Sequence, residues 1–210
     1  MRRKREMSRD EIIVINISDM PSELVGKALG DIDRIRPLII TPAEARGFLE
    51  SQIAASYNSL RGQVNGRELI KRVNESGIGK FVQPGKLIII NEDLYYPSTG
   101  WVFGGYTPTS DGRGLSGGGY ILLSTARARV PELATDILRH ELGHMFGAPS
   151  EGRTNTAESL GLHCVNDICV MQQKLTLAEA VRYAKQRASA GASTYCAQCE
   201  ADIQRYVPGK

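Results

Sequence analysis

The chain has 210 residues, of which 41% are hydrophobic and 23% are charged, and its formal net charge is +3. This length suits a single domain with a sizeable core, and the composition is that of an ordinary soluble globular protein. No apolar run approaches the roughly 20 residues that cross a bilayer, which excludes a membrane-spanning chain.

The first ten residues predict a basic, disordered tail. Residues 1–7, MRRKREM, carry a net charge of +3 by themselves, so the rest of the chain is close to neutral. No apolar segment of the secretory type follows them, and we therefore expect a cytoplasmic protein. A nucleic-acid-binding arm is the less favoured interpretation, because no aromatic residues alternate with the charges.

The first half of the chain predicts alternating strands and helices. Our predictions are a strand at 11–18, a helix from Pro21, a strand over RPLIIT, a helix at 66–76 and a strand at 85–94. In addition, Thr41 and Glu44 have the spacing of a capping box, with proline at position 42 as the first helical residue. This pattern predicts a helix from 42 to about 57.

A glycine-rich segment, GRGLSG at 112–117, matches the pattern of dinucleotide-binding loops. It leads into the apolar segment YILLST rather than into a helix, so no helix N-terminus is available to bind a pyrophosphate. We predict a flexible loop followed by an edge strand.

The second half predicts two helices that have clear ends. One opens at Pro131 and ends near Gly147, and a single face of it carries Leu133, Ile137, His140 and His144. The other begins with a capping box at Thr176 and ends at Gly191. The basic side chains on its polar face are predicted to be solvent-exposed: Arg182, Lys185 and Arg187.

The helix of residues 131–147 contains the pattern H-E-x-x-H. His140 and His144 lie one turn apart, so both imidazoles can reach one zinc ion. Glu141 lies next to that ion without binding it, where it can accept a proton from a water molecule that the zinc activates. The pattern predicts a zinc hydrolase, although a chance occurrence on a surface or core helix is the alternative.

A zinc hydrolase of this kind needs a third ligand, and the chain has only one further histidine, His163. It opens the segment HCVNDICVM at 163–171, and CAQC follows at 196–199. Together with HELGHMFG at 140–147, these segments resemble the signature of the archaemetzincins, a branch of the metzincin metallopeptidases. The segments at 57–70 and 91–106 are also similar to those that archaemetzincins carry ahead of the motif.

The resemblance implies an α+β, metzincin-like zincin fold, with a twisted mixed β-sheet, an active-site helix and a zinc-stapled C-terminal subdomain. It implies two zinc ions, one catalytic and one structural. The implied ligands are His140, His144 and His163 for the first, and Cys164, Cys169, Cys196 and Cys199 for the second. By the same resemblance Met171 is the methionine of the Met-turn, whereas taken alone it would be an ordinary core methionine.

The four cysteines are also informative by themselves. Their paired spacing is typical of a structural zinc site, and two disulfides are the alternative. Adjacent residues of an extended segment point to opposite sides, so His163 can face one ion while Cys164 faces the other.

The chain departs from the family pattern between Gly147 and His163. Fifteen residues separate them, where the family has two, and Ser150 stands where the family's histidine would be. The entropic cost of loop closure grows only with the logarithm of length, so the longer segment can still return His163 to the metal. Glu151 and Glu158 are the alternative third ligands.

These observations divide the chain into a tail (1–10), an N-terminal catalytic subdomain (11–147) and a C-terminal subdomain (148–210). The resemblance implies a zinc-dependent peptidase acting on peptide substrates, without membrane or nucleic-acid partners. It also implies that the strand before the active-site helix binds the peptide through backbone groups of Tyr120, Ile121, Leu122 and Leu123. A catalytically silent, zinc-stabilised scaffold protein is the alternative function.

Overall fold

The computed structural model describes residues 10–42, 44–76, 85–97, 99–110, 116–158, 161–191 and 194–207. The helices are α1 (Ser22–Ile35), α2 (Arg46–Ser56), α3 (Gly66–Glu75), α4 (Pro131–Met145), α5 (Leu177–Ala190) and α6 (Ala197–Arg205). The strands are β1 (Asp10–Asn16), β2 (Leu38–Pro42), β3 (Tyr57–Asn58), β4 (Gln63–Asn65), β5 (Gly85–Ile90), β6 (Leu94–Tyr95), β7 (Gly104–Ser110), β8 (Ser116–Ser124), β9 (Thr156–Glu158) and β10 (Leu162–Cys164).

Two predictions fall wholly or mostly outside the described residues. The predicted basic tail lies outside the described residues except for Asp10, which begins β1 instead of ending the tail. Most of the glycine-rich loop at 112–117 also lies outside the described ranges.

The main sheet has five strands in the order β2-β1-β5-β8-β7, and only β7 runs antiparallel to its neighbour. All six residues of β5 are buried, as expected for a strand at the centre of a sheet that is covered on both faces. The architecture is therefore the mixed α+β arrangement that we predicted.

The sheet corrects one prediction about β8. We expected this strand to form the edge, but it lies between β5 and β7, and Tyr120, Ile121, Leu122 and Leu123 are fully buried. Their backbone groups already pair with β5 on one side and with β7 on the other. Among the described strands β7 forms this edge, and it contains Pro108, a residue that sheets tolerate mainly in edge strands.

The start of α2 corrects another prediction. The capping box at Thr41 predicted a helix from residue 42, but Thr41 and Pro42 pair with β1 as the end of β2. The helix begins only at Arg46, so strand pairing outweighed the local signal. The predicted helix at 66–76 is confirmed as α3, where the side chain of Asn65 accepts a hydrogen bond from the backbone of Glu68.

Helices cover both faces of the sheet. Alternate residues of β5 face opposite sides, so Leu87 and Ile89 pack with α1 and α4 whereas Ile88 and Ile90 pack with α2 and α3. The residues that follow α4 join the core on its own side, among them Met171, Tyr195 and Ile203. Helix α4 therefore lies between the sheet and the C-terminal part of the chain.

Two smaller sheets complete the fold. One has the order β3-β4-β6, and the other is the antiparallel hairpin of β9 and β10, in which His163 is opposite Ala157. None of the described helices is both long enough and apolar enough to cross a membrane.

Candidate metal centre

Helix α4 positions the first two histidines and the glutamate. It opens with Pro131 at its first turn, as predicted, and ends just before Gly147, whose φ of +74° suits glycine. A β-carbon at residue 147 would lie 2.7 Å from the ring of Tyr206, so there is no room for a side chain. The backbone N–H of Ala148 donates to the carbonyl of Gly143 and closes the turn at 2.8 Å.

The hairpin of β9 and β10 returns His163 to the same place. The ring centroid of His163 lies 5.1 Å from that of His140 and 5.1 Å from that of His144, and the last two rings are 4.7 Å apart. One nitrogen from each ring lies within 4.8 Å of the other two. The structure thus brings together the three histidines that the sequence placed at the catalytic zinc.

Backbone carbonyls orient these rings. Nδ1 of His140 lies 2.8 Å from the carbonyl of Val170, and Nδ1 of His163 lies 2.9 Å from that of Gly161. A carbonyl can only accept, so each Nδ1 carries the proton and each Nε2 keeps its lone pair free. His144 is also hydrogen-bonded to the backbone, at Ala148.

The spacing of the rings fits a zinc ion. Nε2 of His140 and Nε2 of His144 are 3.1 Å apart. Two nitrogens that bind one tetrahedral zinc at roughly 2.0–2.1 Å are separated by about 3.3 Å. Burial, and then the neighbouring His163, lower the pKa of His144 to about 4, so this imidazole is neutral at pH 7, as a ligand must be.

Glu141 lies between the triad and the edge strand. It is only 8% exposed, and burial raises the pKa of its carboxyl to about 8, although a hydrogen bond from the backbone N–H of Tyr106 opposes this shift. A divalent cation beside the carboxyl would lower that pKa again. The carboxyl is thus held beside the three imidazoles by a backbone group of β7.

A cavity of about 920 Å³ opens over the triad. Its walls include the three histidines and Glu141 on one side and β7 residues 104–107 on another. The outer edge of β7 therefore runs past the histidines, which is the position that we had assigned to β8.

Tyr96 is a cavity residue that the sequence reasoning missed. Burial, followed by the nearby Glu141, raises the pKa of its phenol to about 12, so it remains a hydrogen-bond donor at neutral pH. Its ring fits between two glycines, since a β-carbon at Gly66 or Gly105 would come within 3.0 or 3.1 Å of it. The glycines at positions 66 and 105 were the signal in the sequence that a large side chain packs there. They could not identify Tyr96, because only the fold brings the two glycines together around it.

The four cysteines form a second cluster. All four sulfurs lie within 4.8 Å of one another, and Sγ of Cys164 is 3.8 Å from Sγ of Cys196. Two thiolates on one tetrahedral zinc, each at ~2.3 Å, are also separated by about 3.8 Å. The cysteines are not bonded to each other, and Cys164, Cys169 and Cys199 are buried.

Hydrogen bonds favour a thiolate in this cluster. The thiol of Cys199 and the backbone N–H groups of Cys196 and Met171 lower the pKa of Cys169 to about 6. The guanidinium of Arg153 lies 3.3 Å from Sγ of Cys199 and 3.6 Å from Sγ of Cys164, so it places a positive charge against the cluster. These features suit a zinc ion whose four ligands are thiolates.

No family model and no curated protein sequence matches the chain. Three solved structures do resemble it. Archaemetzincin (amzA) from Methanopyrus kandleri is 20% identical, with a TM-score of 0.65 over 96% of this chain and 97% of that one. A zinc-dependent peptidase from Methanocorpusculum labreanum (strain Z) is 16% identical, with a TM-score of 0.58 over 91% and 99%.

The third is archaemetzincin (AmzA) from Archaeoglobus fulgidus complexed with malonate, which is 19% identical with a TM-score of 0.55 over 91% and 99%. The chain has the archaemetzincin fold. The resemblance stated from the motif therefore holds for the architecture, and it extends over nearly the whole chain.

In this archaemetzincin fold, Met171 lies beneath the histidines and is fully buried. Gly143, inside the H-E-x-x-H motif, lies directly against it, since a β-carbon there would be 2.2 Å from Sδ of Met171 and 3.1 Å from the ring of Tyr195. The small residue of the motif is thus explained by the methionine that packs under it.

The segment of residues 148–162 is anchored at its near end. Ser150 donates to Asp202 through its backbone N–H (3.0 Å) and through its hydroxyl (2.8 Å), and Arg153 pairs with the same carboxylate. Ser150 therefore anchors the start of this segment to α6. Glu151 and Glu158, the alternative third ligands, are exposed, and the metal-binding groups among the described residues include neither.

The expected exposure of α5 holds for two of its basic residues and is wrong for the third. Arg182 and Lys185 are exposed, but Arg187 is only 11% exposed and binds the buried carboxylate of Asp136 through Nε (2.8 Å) and Nη2 (2.6 Å). The cause is the packing of α5 against α4, which the sequence of α5 alone does not reveal.

Proposed function

We propose that the chain is a zinc-dependent peptidase in which His140, His144 and His163 hold the catalytic zinc. The observation that carries this proposal is the convergence of three imidazoles, each held by a backbone hydrogen bond, beside a buried carboxyl group at an open cavity. The Methanocorpusculum protein of the same fold, a zinc-dependent peptidase by its description, supports the same conclusion.

Zinc held by the three histidines would supply a Lewis acid for the peptide carbonyl and for the attacking water. Glu141 would act as the general base that accepts a proton from the attacking water and donates it to the leaving amine. The N–H of Tyr106 keeps the carboxyl of Glu141 in place through the reaction.

The peptide binds along β7 rather than β8. Residues 104–107 line the cavity, and β7 is the outermost strand at this side of the described sheet. An extended peptide can therefore add to this edge by backbone hydrogen bonds, with its scissile bond over the histidines.

The four cysteines hold a second, structural zinc. Three of the four cysteines are buried, and four thiolates fill the coordination of a tetrahedral zinc, so no open position remains for a substrate. This zinc fixes β10 and the segment that follows it, and thereby fixes the position of His163.

The test compares the wild type with Glu141→Gln, which keeps the shape of the side chain but cannot accept a proton. Both proteins are loaded with zinc, and hydrolysis of a mixed peptide library is measured by mass spectrometry. We expect the variant to keep both zinc ions and to lose about 10²- to 10⁴-fold in kcat/KM. Equal inactivity of the two proteins, with both zinc ions retained, would show that the fold serves as a scaffold.

A further inference from the structure

The cavity continues beyond the histidines along α4. Leu133, Asp136 and Ile137 lie on the same face of this helix as His140 and also line the cavity. Asp136 is four residues before His140, or about 6 Å along the axis. The guanidinium of Arg187 binds Asp136 and is close enough to His140 to help lower the pKa of that imidazole, after burial and the other two histidines.

Two cations lie in the wall at this end of the cavity, Arg187 and Lys174. They are close enough for Arg187, after burial, to contribute to a lowered pKa of the Lys174 ammonium. Asp167 and Glu179 oppose that shift, but within the described chain Lys174 forms no ion pair. Its ammonium contacts the amide oxygen of Gln172 and lies 3.3 Å from the ring centroid of Tyr183.

The guanidinium of Arg187 is only partly satisfied. Nε and Nη2 donate to Asp136, but Nη1 is buried and has no acceptor among the described residues. Asp136 does not supply one: its Oδ2 accepts from Nε and Nη2 of Arg187, and its Oδ1 accepts from Arg139 at 3.1 Å. A buried donor without an acceptor costs free energy, and a carboxylate that accepts from Nη1 would remove that cost with a charge-assisted hydrogen bond.

The walls around these cations are apolar. Leu133 and Ile137 are 2% and 8% exposed, and Ala180 of α5 lies opposite. A short methylene chain that ends in a carboxylate suits such a site, since its stem contacts the apolar wall while its head reaches Arg187.

We propose that this end of the cavity binds a substrate carboxylate through Arg187 and Lys174, so that the enzyme selects peptides with an acidic group close to the scissile bond. The inference rests on the proposed peptidase function and adds a substrate class to it. The carboxylate belongs either to a Glu or Asp side chain or to the free C-terminus of a short peptide, since the chemistry is the same.

The experiment uses the zinc-loaded, full-length protein and matched peptide pairs. One set replaces Glu by Gln at each of the two positions on either side of the scissile bond, and another replaces the free C-terminal acid by its amide. We expect kcat/KM to favour the acidic member about 10- to 100-fold in at least one pair. The pair that shows the preference identifies the source of the carboxylate.

Arg187→Gln removes the proposed carboxylate-binding guanidinium. We expect the acid preference, measured as the ratio of kcat/KM for the acidic and the neutral peptide, to fall to nearly 1, whereas loss of stability alone would lower both values and keep their ratio. Lys185→Gln, the same change of charge on the exposed side of α5, is the matched control and should keep the preference. Lys174→Gln is a second variant, which should weaken the preference without touching the pair of Asp136 and Arg187.

A binding measurement separates this inference from the proposed function. Glu141→Gln protein is titrated with the acidic and neutral peptides by calorimetry, so turnover is not needed. Selective binding without cleavage by the wild type would contradict the peptidase function and support the carboxylate site. Cleavage with equal kcat/KM and equal affinity for all pairs, in wild type and Arg187→Gln alike, would overturn the carboxylate site and leave the peptidase function intact.

Discussion

The two candidate metal sites meet at adjacent residues of β10 and differ in almost every other respect. His163 belongs to a cluster of imidazoles that lines a cavity, whereas Cys164 belongs to a cluster of thiols in which three of the four cysteines are buried. A site with an open position can do chemistry, and a closed site can only stabilise the fold. One strand thus joins the proposed catalytic site to the proposed closed, structural one.

The backbone of Val170 and Met171 joins the two sites a second time. The carbonyl of Val170 accepts from His140, and the carbonyl of Met171 accepts from the backbone N–H of Cys164 at 3.0 Å. We therefore expect the cysteine cluster to stabilise the geometry of the histidines more than the histidines stabilise the cysteine cluster. Variants of the two sites should reveal this asymmetry.

The largest effect is expected from the closed site. Cys169→Ser removes a buried thiolate ligand and should destabilise the fold by about 5 kcal/mol or more, since zinc binding at such sites is part of the folding free energy. His144→Ala should leave the melting temperature within a few degrees. Calorimetry of both variants provides the check, and equal melting temperatures would contradict the asymmetry.

The identity of the third histidine ligand is tested by metal content. We expect two zinc ions per chain in the wild type, one in His163→Ala and two in Ser150→Ala, measured by mass spectrometry of the native proteins. Loss of zinc from the serine variant but not from the histidine variant would contradict the ligand assignment.

Arg153 connects the segment of residues 148–162 to the closed site. Arg153→Ala leaves Asp202, whose side chain is 2% exposed, without its buried partner, and should cost about 3 kcal/mol of unfolding free energy. Arg205→Ala is the matched control, because Arg205 binds the same carboxylate but is 75% exposed, so it should cost less than about 1 kcal/mol. Urea denaturation measures both, and equal losses would argue against this anchoring.

The smallest loss of stability is expected where Gly143 packs against Met171 and Tyr195. Gly143→Ala forces a methyl group against Met171 and Tyr195 and should cost about 2 kcal/mol through overpacking. Gly26→Ala is its control, because the exposed position 26 in α1 has open space around it and alanine favours a helix. The two substitutions should change the urea midpoint in opposite directions.

The sequence predicted most elements, because their signals are local. The capping box at Thr176 and the glycine stop at 191 define α5 correctly, for example. The same type of box at Thr41 failed, because pairing with β1 is a long-range interaction that no local pattern reports.

The same contrast between local and long-range information holds for the candidate site. The histidines and cysteines could be assigned from local motifs and their resemblance to the archaemetzincin signature, but the roles of β7, Tyr96 and Arg187 depend on which surfaces the fold brings together. The continuous apolar run of β8 was the available signal against an edge strand, since an edge more often carries a polar residue or a proline.

The hairpin of β9 and β10 has a consequence for how this protein can vary. Side chains alternate along β10, so the pleat alone decides that residue 163 enters the cavity and residue 164 enters the thiol cluster. A shift of the hairpin register by one residue would point the sulfur of Cys164 into the cavity and the imidazole of His163 into the thiol cluster. Both sites would then lose a ligand at once. Residues added upstream of residue 156 leave this alternation unchanged, so the loop can lengthen. The register in which residues 156–158 pair with residues 162–164 cannot change without loss of both sites.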